Sequence, residues 1–249
     1  MRHCTSNTRQ PRACPRAPEV DAKLLAWGHA AASRANRRLS SGRGPTPLDA
    51  ARVRPIEPAS APPTSARRRI PPLWLFTDAQ RLPDPRAAVA RLPRGLAGVV
   101  FRHDRHPDRA NLGRDLARIC RARRLPLVVA GDGALAAALR AGVHLRAGRW
   151  SGRTRTHRVV TSSAHGVPDL RRAILAGADV IFLSPVFATA SHPGTRTPGP
   201  ARWCQLALGS TAMMGRPAIV AALGGIDGVT VRRLPRHHCR AIGAIGALA

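Results

Sequence analysis

Tyrosine is absent from this 249-residue chain, lysine occurs once, at Lys23, and all aromatic residues together make up 3%. Proteins that hold nucleic acid commonly mix Lys with Arg and interleave stacking aromatics, so these scarcities argue against that class. Acidic residues are also few, 13 against 41 Lys+Arg, which leaves a formal charge of +28. The five cysteines (4, 14, 120, 204, 239) are odd in number, widely spaced and form no CxxC pair. That excludes a disulfide framework and favours a reducing compartment, the cytoplasm. No apolar run approaches the roughly 18 residues of a membrane-spanning helix.

What is present is a chain rich in Ala, Gly, Pro and Arg, with hydrophobic residues at 44%, enough to build a core. Arginine taking nearly every basic position is read as the codon bias of a GC-rich genome; a surface for nucleic acid or an acidic partner is the competing reading. Residues 1–70 hold 14 basic and 4 acidic residues with frequent Pro, Ser and Ala. The stretch PIEPASAPPTSARRR (55–69) has linker composition, and Leu24, Leu25 and Trp27 make one short apolar patch. A disordered basic N-terminal arm over 1–70 is expected; a transit peptide or an upstream start of translation are the alternatives.

From Pro71 the pattern changes. Eight short apolar runs predict strands at 73–77, 98–102, 125–130, 142–145, 158–162, 179–183, 218–222 and 239–242. Segments 111–123, 132–140, 168–176 and 201–208 carry helical spacing of Leu, Ile and Ala. Continuous apolar strands alternating with helices imply a parallel sheet covered on its faces. Eight units over 71–249 suggest an α/β fold, a compact (β/α)8 TIM barrel, although the length is short of the roughly 200–250 residues common for it. A doubly wound open sheet is the structural alternative.

In such a barrel the residues just past each strand carry function. These are Arg102, His103 and Asp104 after the second run, Gly131 and Asp132 after the third, and Ser163 and His165 after the fifth. The segment from Ser184 to His192 follows the sixth, and Gly224 and Gly225 follow the seventh. Asp132 is equally suited to cap the helix that follows it. The Gly-Gly pair has the composition of a turn that offers backbone N–H groups to phosphate.

Three pieces then resemble one family: Ser163-Ala-His165, the run AGADVIFLSPVFATASHPGTRTPG (176–199), and ALGGI (222–226). In order and spacing they are similar to the thiamine-phosphate synthases and their thiazole tautomerase relatives, over Leu73 to about Leu248. The resemblance implies a transferase of thiamine biosynthesis. It would join hydroxymethylpyrimidine diphosphate to thiazole phosphate and release pyrophosphate, with Mg²⁺ at the diphosphate. It assigns Arg102 to the diphosphate, Asp132 to the metal and Ser163 to the pyrimidine side. Thr189, Ser191, His192, Gly224 and Gly225 fall to the thiazole phosphate, and His165 to proton transfer. Three positions depart from the family pattern. Asp104 replaces a lysine, Arg149 replaces the second metal aspartate, and His192 replaces the lysine that closes the hydroxyl motif. Mg²⁺ binding is therefore expected to be weakened, with charge recovered from His103, Arg105, Arg149 or Arg153. The expected partners are small phosphorylated pyrimidine and thiazole compounds, not nucleic acid or a membrane. A tautomerase-like or degenerate phosphate-binding barrel is the alternative function.

Overall fold

The computed structural model describes residues 20–40, 69–149, 158–189, 197–212 and 218–249. Eight parallel strands close on themselves in sequence order. They are β1 (Leu73–Phe76), β2 (Ala97–Phe101), β3 (Leu127–Ala130), β4 (Gly142–Leu145), β5 (Val160–Ala164), β6 (Val180–Leu183), β7 (Ile219–Leu223) and β8 (Ile242–Ala244). The barrel closes where Leu73, Trp74 and Leu75 of β1 pair with Ile242, Gly243 and Ala244 of β8. The doubly wound alternative is thereby excluded.

Alternation along each strand makes two cores. Trp74, Phe76, Val100, Val128, Val180 and Phe182 form a cluster inside the barrel. Leu73, Leu75, Val99, Phe101, Val129 and Ile181 belong to the larger layer between strands and helices. Interior space is shared between large and small residues. A Cβ on Gly98 would lie 2.7 Å from the Trp74 ring, and one on Gly243 would lie 2.7 Å from Phe76. Glycine on β2 and β8 thus makes room for the aromatics of β1.

The helices follow the same logic. In α3 (Arg109–Arg123) the buried face is Leu112, Leu116, Ala117 and Cys120, and the helix stops at Arg124 in the left-handed conformation. Helix α4 (Gly133–Ala138) starts at Asp132, whose carboxylate accepts from Leu135 N. Helix α5 (Val167–Leu175) has Pro168 in its first turn, where no N–H is needed. Helices α2 (Arg86–Arg91) and α6 (Gly199–Ala212) complete the outer layer, whereas β7 and β8 are followed only by short 3₁₀ turns.

That thin side of the barrel corrects the reading of the N-terminal segment. Residues 22–40 are not an unstructured arm but helix α1 (Ala22–Ser40). Leu24, Trp27 and Ala31, spaced three and four apart, are buried at 0%, 6% and 6% exposure. Gly28 lies so close to Leu73 of β1 that a Cβ would meet its side chain at 2.8 Å. Asp21 donates its N–H to Ala247 O past β8 and accepts from Gly228 N past β7. The physical reason is burial. Each large apolar side chain taken from water is worth about 1.5–3 kcal/mol, and the β8–β1 side offers α1 an apolar wall that composition alone does not reveal. Residues 1–19 and 41–68 lie outside the described residues.

Candidate functional site

The C-terminal ends of the strands surround a cavity of about 780 Å³. Its floor is Phe76 and His144, and its wall includes Arg81, Arg102, Asp104, Arg146, Ser163, His165, Ser184, Thr189, Gly224 and Gly225. Three guanidinium groups and one carboxylate therefore line the same space.

On the β2 side, Arg102 is held by its backbone. Its N–H donates to Thr77 Oγ1 (2.9 Å), and that hydroxyl in turn contacts His103 Nδ1 (2.9 Å). The other ring nitrogen of His103 reaches the Leu82 and Pro83 carbonyls at 3.1 and 3.3 Å. Carbonyls only accept, so the proton sits on Nε2 and Thr77 donates to Nδ1. His103 is fully buried, and that burial holds its pKa below the ordinary histidine value. It locks the β1–α2 loop and is not among the groups that line the cavity, so the expected charge recovery from His103 is not seen. Arg105 is exposed and does not line the cavity, and Arg153 lies outside the described residues.

Asp104 is flanked by two arginines. Its Oδ2 accepts from Arg146 and its Oδ1 from Arg109 (3.2 Å). Arg109 also donates to Ala130 O (2.8 Å) and to Asp132 Oδ2 (3.2 Å), with its guanidinium 5.6 Å from the Phe101 ring centroid. Asp132 Oδ1 is taken by the α4 cap, Leu135 N, at 2.9 Å. Gly131, with a φ of +66°, leaves the space that the Arg146 guanidinium fills, 3.0 Å from where a Cβ would stand. These facts test the implied metal. Both oxygens of Asp132 are engaged, one by a cationic guanidinium, and Asp132 does not line the cavity. Arg149 is exposed, sits in the turn closed by its N–H on Arg146 O (2.9 Å), and does not line the cavity either. Among the described residues no cluster of three or more His, Cys, Asp or Glu side chains could hold a metal ion. The residues present do not fit Mg²⁺, because a divalent cation would have to displace a guanidinium from its carboxylate.

At β5 the hydroxyl groups face the β4 turn. Ser163 Oγ accepts from Ala147 N (3.1 Å) and Ser162 Oγ from Gly148 N (3.0 Å). His165 is exposed at the cavity wall, its N–H donating to Asp169 Oδ2 (2.9 Å) in the first turn of α5. Its Nδ1 lies 3.1 Å from the Ser184 carbonyl. Ser184 Oγ lies 3.3 Å from the same nitrogen; in the neutral tautomer that donates from Nδ1 to the carbonyl, Nε2 keeps its lone pair. Below them His144 is buried against Phe76, bonded through Nδ1 to Thr161 Oγ1 (2.8 Å). Burial, reinforced by the charges of Arg102 and Arg146, pushes its pKa down to about 3, so it is neutral.

Across the cavity the β6–α6 loop packs on the β7 turn. Val186 N donates to Leu223 O (3.0 Å) and Phe187 N to Gly224 O (3.1 Å). Gly224 and Gly225 have φ of +94° and +65°. A Cβ on the first would lie 2.8 Å from Pro185 Cα, and one on the second 2.4 Å from Ala188 O. Glycine is needed at both positions for conformation and for space. Thr189 lines the cavity beside them. Ser191 and His192 lie outside the described residues.

The structure thus brings Arg102, Ser163, His165, Thr189, Gly224 and Gly225 to one cavity and sets Asp132 behind Arg109. Arg81, Arg109, Arg146 and His144 were not among the expected residues. Reading the position after β4 by the same rule as the other strand ends would have found Arg146. Arg109 begins a helix 23 residues before its partner Asp132, and nothing local marks that pairing.

The sequence model of the family described as thiamine monophosphate synthase matches residues 73–248. Among curated relatives, the thiamine-phosphate synthase of Geobacillus kaustophilus is 28% identical over 148 residues, 57% of this chain and 65% of that protein. The thiamine-phosphate synthase of Geobacillus thermodenitrificans is 30% identical with the same coverage, so the similarity spans just under two thirds of both relatives. Among solved structures, a thiamine phosphate pyrophosphorylase from Pyrococcus furiosus superposes with a TM-score of 0.57 at 20% identity. The match covers 74% of this chain and 91% of that one. FabK from Thermotoga maritima, at a TM-score of 0.53 and 15% identity, covers 72% of this chain and 58% of its own, and shares the fold alone.

Proposed function

The chain belongs to the thiamine monophosphate synthase family, and from that premise we propose that it joins hydroxymethylpyrimidine diphosphate to thiazole phosphate in the cytoplasm. The observation that carries this reading is the cavity itself, where Arg81, Arg102 and Arg146 face Thr189 and the Gly224–Gly225 turn across one space. In the reaction the bond from the pyrimidine methylene to the diphosphate oxygen breaks, and pyrophosphate leaves with the electron pair. The thiazole nitrogen then bonds to the methylene. Charge builds on the leaving diphosphate, and guanidinium donors aimed at it stabilise that transition state. Arg102, fixed by Thr77, and Arg146, fixed by Asp104, take that role. Thr189 and the glycine turn receive the thiazole phosphate, and Ser163 borders the pyrimidine. Phe76 gives the ring an apolar floor.

A second reading is proton transfer on a thiazole phosphate by His165, as in the tautomerase relatives. It is favoured by the anchoring of His165 Nδ1 on Ser184 at the cavity wall, which suits Nε2 to accept a proton, and by the engagement of Asp132 with Arg109. Incubating the purified full chain with both precursors separates the two. Thiamine phosphate and pyrophosphate in equal amounts are expected. Absence of product, together with deuterium exchange into the thiazole phosphate that disappears in His165→Asn, would replace the transferase reading with the tautomerase one.

A further inference from the structure

Taking the cavity as a diphosphate site, we infer that a chain of arginines, not a divalent cation, neutralises the diphosphate in this protein. The chain runs Arg146–Asp104–Arg109–Asp132 along the β2–β4 side, each carboxylate bridged to a guanidinium. Arg109 is the keystone. It is only 16% exposed, stacks on Phe101 and donates to Ala130 O, so it occupies the carboxylate of Asp132 from a fixed position. Arg146 lies over Gly131 and reaches the cavity in front of that pair.

Asp104 reads differently in this arrangement. By sequence it removes a cation. By geometry it holds two, offering one oxygen to Arg146 and the other to Arg109. With Arg102 and Arg81 on the cavity wall, four guanidiniums stand against two carboxylates around the subsite. The surplus is positive without any ion. A guanidinium presents paired N–H donors that match phosphate oxygens, and its charge does not titrate, so it serves a diphosphate at any physiological pH. A metal arriving here would meet a guanidinium on the nearest carboxylate and an arginine at the second ligand position, Arg149. The ligand class is therefore the free diphosphate anion rather than its magnesium complex.

Calorimetric titration of the full chain with inorganic pyrophosphate tests this, once with EDTA and once with excess Mg²⁺ at matched free pyrophosphate. The dissociation constants are expected to agree within about threefold, a difference worth under ~1 kcal/mol by the usual conversion. Arg146→Ala, at a side chain 60% exposed and so tolerant of replacement, should weaken binding by about tenfold or more in EDTA. Asp132→Asn keeps an amide oxygen for the α4 cap and releases Arg109 from its counterion, so binding should hold or tighten. Circular dichroism checks that both variants fold. Pyrophosphate binding that needs Mg²⁺, or that is lost in Asp132→Asn, or that ignores Arg146→Ala, would overturn the inference and leave the diphosphate reading standing. No binding in either buffer would overturn the diphosphate reading itself.

Discussion

The two sides of the cavity rim are made of different material. The β6–β8 side is backbone: the Gly224–Gly225 turn, the loop from Pro185 to Thr189 packed on it, and Gly228 tied to Asp21 at the head of α1. The β2–β4 side is charged side chain: Arg102, Asp104, Arg146 and, behind them, Arg109 and Asp132. A backbone-built site cannot change without disturbing the fold that shapes it, since loops and strand ends there share contacts closer than a Cβ allows. A side-chain site can be rewritten one residue at a time on an unchanged barrel. Of the three departures from the family pattern described above, Asp104 and Arg149 lie on the second side, where that difference permits them, and the third, His192, follows β6 in a stretch outside the described residues.

The comparison breaks most severely if α1 is removed, because α1 supports the backbone-built side. Trp27 is 6% exposed and buried with Leu24 in the outer core. Trp27→Ala is expected to cost about 3–5 kcal/mol by cavity formation. A chain begun at Pro71 should lose its cooperative thermal transition. Unfolding of both proteins by urea and by heat, followed by circular dichroism, checks this. Melting behaviour equal to that of the full chain would mean that residues 22–40 add nothing to the barrel.

A smaller effect sharpens the contrast between the two sides. Gly225→Ala forces a side chain into the left-handed region and toward Ala188 O, at a cost of about 3 kcal/mol. Arg102→Ala touches no such constraint. Its stability should stay within about 0.5 kcal/mol of the parent while pyrophosphate affinity falls. Equal loss of stability in the two variants would erase the distinction between backbone-built and side-chain-built halves.

The strands were legible because buried parallel strands are continuous apolar runs, and in six of them at least one end lies within one residue of the expected bound. The two that shift show what the pattern misses. β5 was expected at 158–162 and stands at Val160–Ala164. Its last two residues are Ser163 and Ala164, and Ser163 is polar where it borders the cavity, so the end reads as loop. β8 was expected at 239–242 and stands at Ile242–Ala244, where Gly243 carries no bulk because Phe76 fills its place. For α1, the stripe Leu24, Trp27, Ala31 was visible only as a patch amid arginine and proline, since its partner wall lies some 50 residues on in β1 and over 200 on past β7. Site residues at strand ends followed from the barrel. The pairing of Arg109 with Asp132 did not, because ion pairs across elements leave no periodic trace.

The smallest effect comes from the floor shared by both sides. His144 is neutral in the folded protein with its pKa near 3, while in the unfolded chain it returns to the ordinary value of about 6.5. Between those values the unfolded chain binds the extra proton, so stability rises with pH across this window and is lost as pH falls through it. From pH 7 to pH 5.5 the cost should be about 1 kcal/mol from this group. His103, buried and lowered in the same direction, steepens the slope. Replacing the pair as His144→Phe with Thr161→Val removes both the proton and the hydroxyl that would be left without its partner. Urea midpoints measured at several pH values should then show a shallower acid limb than the parent. Arg146→Ala should soften the limb slightly as well, because the Arg146 charge is one of the causes that keep His144 neutral. An acid limb unchanged by the double substitution would place the proton-linked loss elsewhere and separate the floor from the arginine side.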